Sequence, residues 1–177
     1  LLAIEKTNIT IDGLTFNILT WDTLPAGVSS LRCVLFRRST FIRVTDSHFY
    51  TTGGGPACIG CKNVKITGNT IEATLPSDSI NGHADGMIDL WVEFDIDAER
   101  NIITNNNILG NNAGRCGIML TGLTFGAQVM EHQTALISNN VISNTYFDGI
   151  WAFGRDAILR NSVISNNVIS GGRCGVR

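Results

Sequence analysis

The sequence of 177 residues contains no apolar run that approaches the length of a membrane-spanning helix. Charge is also scarce, since Asp, Glu, Lys and Arg make up 16% of the chain and the formal net charge is −2. Without an excess of positive charge, a protein is not drawn to nucleic acid or to an acidic lipid surface. We therefore expect neither nucleic acid nor a membrane as a partner.

Cysteine is present in an odd number, which is a poor basis for a disulfide framework. Cys58 and Cys61 form a Cys-x-x-Cys pair, but no second pair completes a zinc site. We expect buried free thiols, stacked where the cysteines recur at the start of a strand. These recurring residues are Cys33, Cys116 and Cys174.

A short pattern recurs along the chain: an apolar residue, then Ser or Thr, then two small polar residues and another apolar residue. Apolar and polar residues alternate within each copy, which is the periodicity of a β-strand. A further strand-like segment precedes most copies, so each repeat predicts about three short strands. Such repeats bury their apolar sides by stacking, which predicts one solenoid domain over residues 1–177 with about six coils. The copies are centred on Ile11, Val44, Ile66, Ile103, Ile137 and Ile164.

Asparagine occupies the same offset in four of these copies. Asn and Gly tolerate the left-handed backbone that a sharp corner requires. Stacked amides can hydrogen-bond to each other and to the backbone, and would fix the register between coils. We expect such a ladder of Asn69, Asn106, Asn140 and Asn167.

This pattern of strands and corners resembles the right-handed parallel β-helix of the pectin-lyase-like superfamily over residues 8–177. The resemblance implies an all-β fold, a right-handed single-stranded parallel β-helix. It also implies a character closest to phage tailspikes and polysaccharide-degrading members, although so widely shared a fold does not name a reaction. No capping unit is visible at either end, so we expect a piece of a longer protein.

Residues 72–99 are rich in acidic side chains and contain no Lys or Arg. Apolar residues alternate with acidic ones from Ile88 onward, which predicts a strand with an acidic outer face that includes Trp91. When carboxylates lie close together, their repulsion raises the pKa of one of them. Glycoside hydrolysis needs one protonated and one ionised carboxyl group. The candidate catalytic residues are Asp85, Asp89, Glu93, Asp95 and Asp97.

Two other interpretations of the acidic face stay open. It can be a solvated surface that prevents edge pairing, or it can hold Ca²⁺ through hard oxygen ligands. We assign no metal site and expect no required cofactor, and Ca²⁺ is the one candidate ion.

The segment 81–86 leads into this strand and resembles the Asn-x-Asp-Gly element of polygalacturonase-type hydrolases at Asp85 and Gly86. Asp148-Gly149 has the same form, and aligning the two would turn Asp89 inward. A β-bulge near Met87 would reconcile the two registers.

Three further side chains are candidates for substrate binding. Trp91 offers a flat apolar surface that complements the face of a sugar ring. His83 falls in a long loop before the acidic strand, as His132 does in a later loop. Trp151 should face outward, as a sugar platform, beneath a loop or in a subunit contact.

These observations favour a polysaccharide depolymerase of the glycoside hydrolase type, from a phage tailspike or a secreted enzyme. One alternative is a Ca²⁺-dependent polysaccharide lyase, and another is a non-catalytic receptor-binding or structural shaft. The resemblance to tailspikes implies a homotrimer, and an extracellular or virion-surface location fits all three functions.

Overall fold

The computed structural model describes residues 1–17, 32–51, 54–74, 86–93, 97–112, 116–123, 130–152 and 157–177. These residues form β-strands joined by short corners, and no helix occurs among them. No segment in the described ranges forms a helix long and apolar enough to cross a membrane.

Each coil of the chain contributes strands to three sheets, which run in three directions around the axis. The first three coils contain β1 (Leu2–Ile4), β2 (Thr7–Asp12) and β3 (Thr15–Asn17); β4 (Val34–Arg37), β5 (Thr40–Thr45) and β6 (His48–Thr51); and β7 (Pro56–Ile59), β8 (Lys62–Thr67) and β9 (Thr70–Ala73).

In later coils the middle strand is divided in two. The fourth coil contains β10 (Gly86–Glu93), β11 (Ala98–Glu99), β12 (Ile102–Thr104) and β13 (Asn107–Leu109). The fifth contains β14 (Cys116–Leu123), β15 (Met130–Gln133), β16 (Leu136–Ser138) and β17 (Val141–Ser143). The sixth contains β18 (Asp148–Trp151), β19 (Ala157–Arg160), β20 (Val163–Ser165) and β21 (Val168–Ser170), and β22 (Cys174–Val176) follows.

Corresponding strands pair in parallel and build three sheets along one axis. Sheet A has the order β1-β4-β7-β10-β14-β18-β22. Sheet B begins with β2, β5 and β8 and continues through the divided middle strands, and sheet C runs β21-β17-β13-β9-β6-β3. Six coils and the first strand of a seventh therefore confirm the expected solenoid.

The core lies between the three sheets because each strand alternates inward apolar and outward polar residues. In β8, Val64 and Ile66 are buried and Lys65 is exposed. Parallel pairing repeats such residues from coil to coil, so that Val44, Ile66, Ile103 and Ile137 follow one another in register. The recurring apolar pattern therefore becomes a continuous apolar column.

A left-handed residue marks the corner between sheets B and C in every coil. Positive φ angles of 48° to 71° occur at this corner. Gly and Asn adopt this conformation most readily, and Asp also tolerates it. The residues are Gly13, Asp46, Gly68, Asn105, Asn139 and Asn166.

The next residue in each of the last four coils belongs to the expected asparagine ladder. The Nδ2 of Asn69 donates to Oδ1 of Asn106 at 3.0 Å, Asn106 to Asn140 at 2.9 Å, and Asn140 to Asn167 at 2.9 Å. Each of these amides also donates to a carbonyl of the preceding coil, as Asn106 does to Ile66 at 3.0 Å. The ladder is confirmed with all four residues.

A second row of left-handed residues bends sheet B in all six coils. Their φ angles lie between 50° and 56°. In the first three coils the strand continues through the bend, and in the later ones it is divided there. The residues are Asn8, Phe41, Asn63, Arg100, Thr134 and Asn161.

All five cysteines are free thiols. Four of them are buried, which fits the expected structural use. Cys174 is exposed, so the expectation of a buried stack is wrong for this residue, whose strand is exposed at every position.

Candidate functional site

The outward face of sheet A carries the predicted acidic strand, β10, between β7 and β14. Leu90 points into the core, so Asp89 and Trp91 on either side of it point outward. Residues on this face align in rows along the axis. One row contains Leu2, Leu35, Ala57, Asp89, Met119 and Trp151, and the next contains Ile4, Arg37, Ile59, Trp91 and Thr121.

A groove of about 490 Å³ lies over these rows. Most of its wall is apolar, and Asp89 and Arg32 supply the charge. Trp91 adds an aromatic surface beside them. The residues that line it are Leu1, Leu2, Arg32, Leu35, Ala57, Ile59, Asp89 and Trp91. Two sequence-predicted residues, one catalytic and one for substrate binding, thus share one groove.

Asp89 is held in place by two contacts. Its Oδ1 accepts the backbone N–H of Gly86 at 2.7 Å, and its Oδ2 forms an ion pair with Nη2 of Arg32. The Asp89 side chain is 1% exposed and that of Arg32 is 10% exposed. A carboxylate fixed in this way has little rotational freedom, which is what a preorganised reactive group requires.

The start of β10 departs from strict alternation. Met87 and Ile88 are consecutive residues, yet both belong to the buried core. A β-bulge would place two residues opposite one on the neighbouring strand, but Gly86, Ile88 and Asp89 pair with Cys116, Ile118 and Met119 without a shift in register. The bulge expected near Met87 is therefore wrong, and Asp89 is on the outward face because it precedes the inward Leu90.

The two Asp-Gly segments do not align with each other. Gly86 pairs with Cys116, and Cys116 pairs with Asp148. Gly86 is therefore in register with Asp148 itself, so the alignment of Asp85-Gly86 on Asp148-Gly149 is wrong by one residue.

Glu93 ends β10 and is held by two arginines. Its carboxylate accepts hydrogen bonds from Nε of Arg37 at 3.0 and 3.1 Å and from Nε of Arg38 at 3.3 Å. The side chain is 1% exposed. The hydrogen bonds from Arg37 lower the pKa of Glu93 below its ordinary value, against the opposing effect of burial. The expectation that crowding raises the pKa of a carboxyl is wrong for Glu93, because cations surround it.

Asp89 and Glu93 are four residues apart on one strand, which separates their Cα atoms by roughly 13 Å. The two carboxyl groups of glycosidases lie about 5–9.5 Å apart. Trp91 stands between them on the same face. Asp89 and Glu93 are therefore too far apart to act together on one glycosidic bond, and each stays a separate prediction for catalysis.

Asp97 lies on another face of the molecule. β10 of sheet A ends at Glu93, and Asp97 directly precedes β11 of sheet B, which begins at Ala98. Oδ1 of Asp97 accepts the backbone N–H of Glu131 at 3.0 Å, and Oδ2 accepts Nε2 of Gln133 at 3.2 Å. The prediction of one acidic strand through Asp97 is wrong, because Asp97 adjoins a strand of sheet B whereas Asp89 and Glu93 lie on a strand of sheet A.

Trp151 shares a row with Asp89, with Met119 between them, so it stands two strands along the same face. The guanidinium of Arg177 lies over its ring, 5.9 Å from the centroid. The outward direction expected from the sequence agrees with this register, and its role in substrate binding stays a prediction.

His132 is not in a loop but in strand β15, buried to 2% exposure. Its Nε2 lies 3.0 Å from the carbonyl oxygen of Thr121. Burial lowers the pKa of His132 to about 4, so the ring is neutral at pH 7. It packs beside the small apolar cluster of Val92 and Ala98.

Asp85, Asp95 and His83 lie outside the described residues, so their predicted roles stay predictions. Among the residues that are described, no three His, Cys, Asp or Glu side chains form a group suited to a metal ion. The Ca²⁺ interpretation of the acidic face therefore gains no ligand set from the described residues.

Sequence reasoning missed the arginines that hold the carboxylates. Arg37 follows Leu35 at the spacing of two that places both on the same face of β4, so its direction could be read from the alternation. What the sequence does not give is which coils meet, because Arg37 and Glu93 are separated by one whole intervening strand, β7, in sheet A. Arg32 precedes β4 and carries no periodic signal at all.

A family model described as a right-handed beta helix region matches residues 2–177, nearly the whole chain. No curated protein and no solved structure matched the chain. The match covers all six coils and both residues of the sheet A groove that the sequence predicted.

Proposed function

Since this chain belongs to the right-handed β-helix family, we propose that it is a carbohydrate-active protein that binds a polysaccharide along sheet A and depolymerises it at Asp89. The observation that carries the proposal is the groove in which Asp89 and Trp91 are neighbours. The family itself includes both degrading and structural β-helices, so the activity is argued from the groove alone.

The shape of the groove suits a chain of sugar rings. Its apolar wall, with Trp91, matches the C–H faces of pyranoses, and Asp89 and Arg32 match their hydroxyl groups. The sheet continues on both sides of β10, so the outward rows extend the same face along the axis. A long lateral face fits a long ligand better than a compact one.

Asp89 is the carboxylate that this groove offers to a bound sugar. Because Asp89 is 1% exposed, the Arg32 side chain has to move away from Oδ2 before the carboxylate can activate a water molecule or attack the anomeric carbon. The acid that protonates the leaving oxygen stays a prediction on Asp85 and Asp95. A hydrolase is therefore the first candidate, with release of new reducing ends as its signature.

The experiment measures new reducing ends on a panel of neutral and acidic polysaccharides. We expect Asp89→Asn to lower kcat by about two orders of magnitude or more, because it removes the carboxylate and keeps the acceptor for Gly86. Asp12→Asn is the matched control, because it makes the same change on sheet B, outside the groove, and should leave kcat unchanged. Equal activity of Asp89→Asn and the unchanged protein would contradict the assignment.

The same panel distinguishes the lyase alternative. A lyase leaves an unsaturated product that absorbs in the ultraviolet, and a Ca²⁺-dependent one loses activity in a chelator. Ultraviolet-absorbing product in the absence of net hydrolysis would replace the hydrolase proposal with the lyase.

A non-catalytic shaft or receptor-binding module is the second candidate function. The observation that favours it is that arginines hold both described carboxylates of β10. Binding of a polysaccharide that Trp91→Ala weakens, with no product after long incubation, would select this candidate over the depolymerase.

A further inference from the structure

Sheet B carries a second groove, of about 390 Å³, on a different side of the molecule. It crosses the bend of the first three coils. Its wall combines two cations, one aromatic ring and several amide and hydroxyl groups. The lining residues are Asn8, Thr10, Phe41, Ile42, Arg43, Asn63 and Lys65.

Both the exposure and the backbone conformation of Phe41 are unfavourable for a large apolar side chain. It is 58% exposed, and it has a φ of 55° in the row where its neighbours along the axis, Asn8 and Asn63, have φ angles of 56°. Asn tolerates this left-handed conformation, whereas a bulky side chain pays for it. The backbone of the bend therefore does not require Phe41, and strain of this kind is typical of sites with a function.

The positions of Arg43 and Lys65 are also unfavourable, because they bring two positive charges close together. They pair in register on the neighbouring strands β5 and β8, about 4.8 Å apart at the backbone. Both are exposed, and neither has an ion-pair partner in the described parts of the chain. Like charges directly opposite each other in a sheet are destabilising. A bound anion would relieve the repulsion.

No carboxylate is among the residues that line this groove, and two acidic residues of sheet B have partners elsewhere. Glu99 accepts Nζ of Lys62 at 2.9 Å and lies 3.6 Å from Nη2 of Arg100. Asp12 accepts the hydroxyl of Thr45. The groove therefore keeps a net positive charge from Arg43 and Lys65.

We propose that this groove binds an anionic sugar unit, with Phe41 against the ring face and Arg43 and Lys65 on its carboxylate or sulfate. The side-chain amides of Asn8 and Asn63 flank the ring and suit its hydroxyl groups. The site lies on sheet B, away from Asp89, so it does not depend on the function proposed for sheet A.

The test is calorimetric titration with three hexasaccharides: a galacturonic acid hexamer, a heparin hexasaccharide and neutral maltohexaose. We expect an acidic hexamer to bind, with an affinity that falls as salt is added, and maltohexaose not to bind at this site. The two acidic probes distinguish a uronate carboxylate from a sulfate as the recognised group.

The variants separate the ring contact from the charge contact. Phe41→Asn should weaken binding about fivefold without loss of fold, because Asn suits the left-handed backbone. Arg43→Gln with Lys65→Gln should weaken it about tenfold or more and remove the salt dependence. Arg100→Asn is the matched control, because it removes a cation from the same left-handed row outside the groove, and it should leave the affinity within about twofold.

Three outcomes would overturn the proposal: no binding of either acidic hexamer, equal loss with Arg100→Asn, or displacement of the sugar by inorganic sulfate with no preference for the sugar. The sheet A assignment is judged separately, because Trp91→Ala leaves this groove intact and Arg43→Gln with Lys65→Gln leaves Asp89 in place. Unchanged hexamer binding by Trp91→Ala supports a site on sheet B.

Discussion

At the scale of single residues, the structure shows charges and aromatics whose surroundings differ from those that the alternation implies. Glu93 and Asp89 follow the predicted period, but arginines from an earlier coil cover them. His132 is neutral and buried rather than exposed in a loop. Each difference arises because neighbours in the next coil, and not neighbours in the sequence, decide the environment of a side chain.

His132 makes stability depend on pH. Its pKa in the folded chain is about 4 against an ordinary value of 6.5, so the folded state binds fewer protons between these values. Stability from this group is complete above about pH 6.5 and is lost as the pH falls towards 4, by roughly 3 kcal/mol. Urea unfolding of the unchanged protein and His132→Gln from pH 7 to 4 should show their difference shrink by about that amount.

Loss of the Glu93 ion pairs occurs in the same acid range, because Glu93 has a lowered pKa and stabilises the fold only while it is ionised. Both proteins share this contribution, which is why the difference between them is measured. A difference that stays constant with pH would contradict the buried neutral state of His132.

Phe41 gives a second prediction at this scale. Replacing it with Asn should raise the free energy of unfolding by about 1 kcal/mol, because Asn removes a bulky side chain from the left-handed region. Chemical unfolding measures the change, and Asn63→Phe is the mirror experiment in the same row, with a loss of similar size expected. A stabilising Asn63→Phe would show that the bend accepts aromatics without strain.

At the scale of elements, the corners between strands are the most regular feature, and the sequence predicts them best. The four asparagines share one offset in the repeat, and that offset alone predicted the ladder, because a corner with a repeated shape stacks the same side chain on itself. The division of the middle strand in sheet B was not predictable in the same way. Asn8 and Asn63 hint at the bend, but Phe41, Arg100 and Thr134 in the same row carry no turn signal.

Removal of one side-chain amide should lower the free energy of unfolding more in the middle of the asparagine ladder than at its end. Asn106 donates to Ile66 and Asn140 and accepts twice from Asn69, all in a buried corner. Asn106→Ala should therefore lower the free energy of unfolding by about 3–4 kcal/mol, at roughly 1 kcal/mol for each bond. Asn167→Ala is the control, with about half that loss, because its half-buried position lets water replace the amide.

Equal losses for the two ladder variants would mean that hydrogen bonding along the ladder does not depend on its burial. Urea unfolding measures both variants. Equal m-values would show that the two substitutions change stability and not the compactness of the denatured state.

At the scale of the whole molecule, the architecture was readable from the sequence and the site was readable only in part. Repeats centred on six apolar residues gave the solenoid and the number of its coils, since each coil needs its neighbours to bury its apolar side. The same reasoning placed Asp89 and Trp91 together, because residues two apart on one strand share a face. It failed at Asp97, which adjoins a strand of a different sheet. It also did not predict the contacts of the arginines, because these depend on the lengths of the coils between them and the carboxylates.

Stability should be graded along the axis, because a solenoid gains its stability from neighbouring coils. The side chains of the last strand, β22, are exposed, whereas those of β8 and β12 contribute Ile66 and Ile103 to the core. We expect amide hydrogens of Ile103 and Ile66 to exchange with solvent at least tenfold more slowly than that of Ile169. Uniform protection from β2 to β21 would indicate one cooperative unit instead.

The asparagine ladder also bears on how such a protein can change over generations. Every rung joins only the rung before it and the rung after it, with the same hydrogen bonds each time. A duplicated coil therefore meets suitable partners on both sides, and a deleted one leaves two matching surfaces. The cross-section stays constant while the length is free to vary, so the lateral surface can be extended by adding a copy of what already exists.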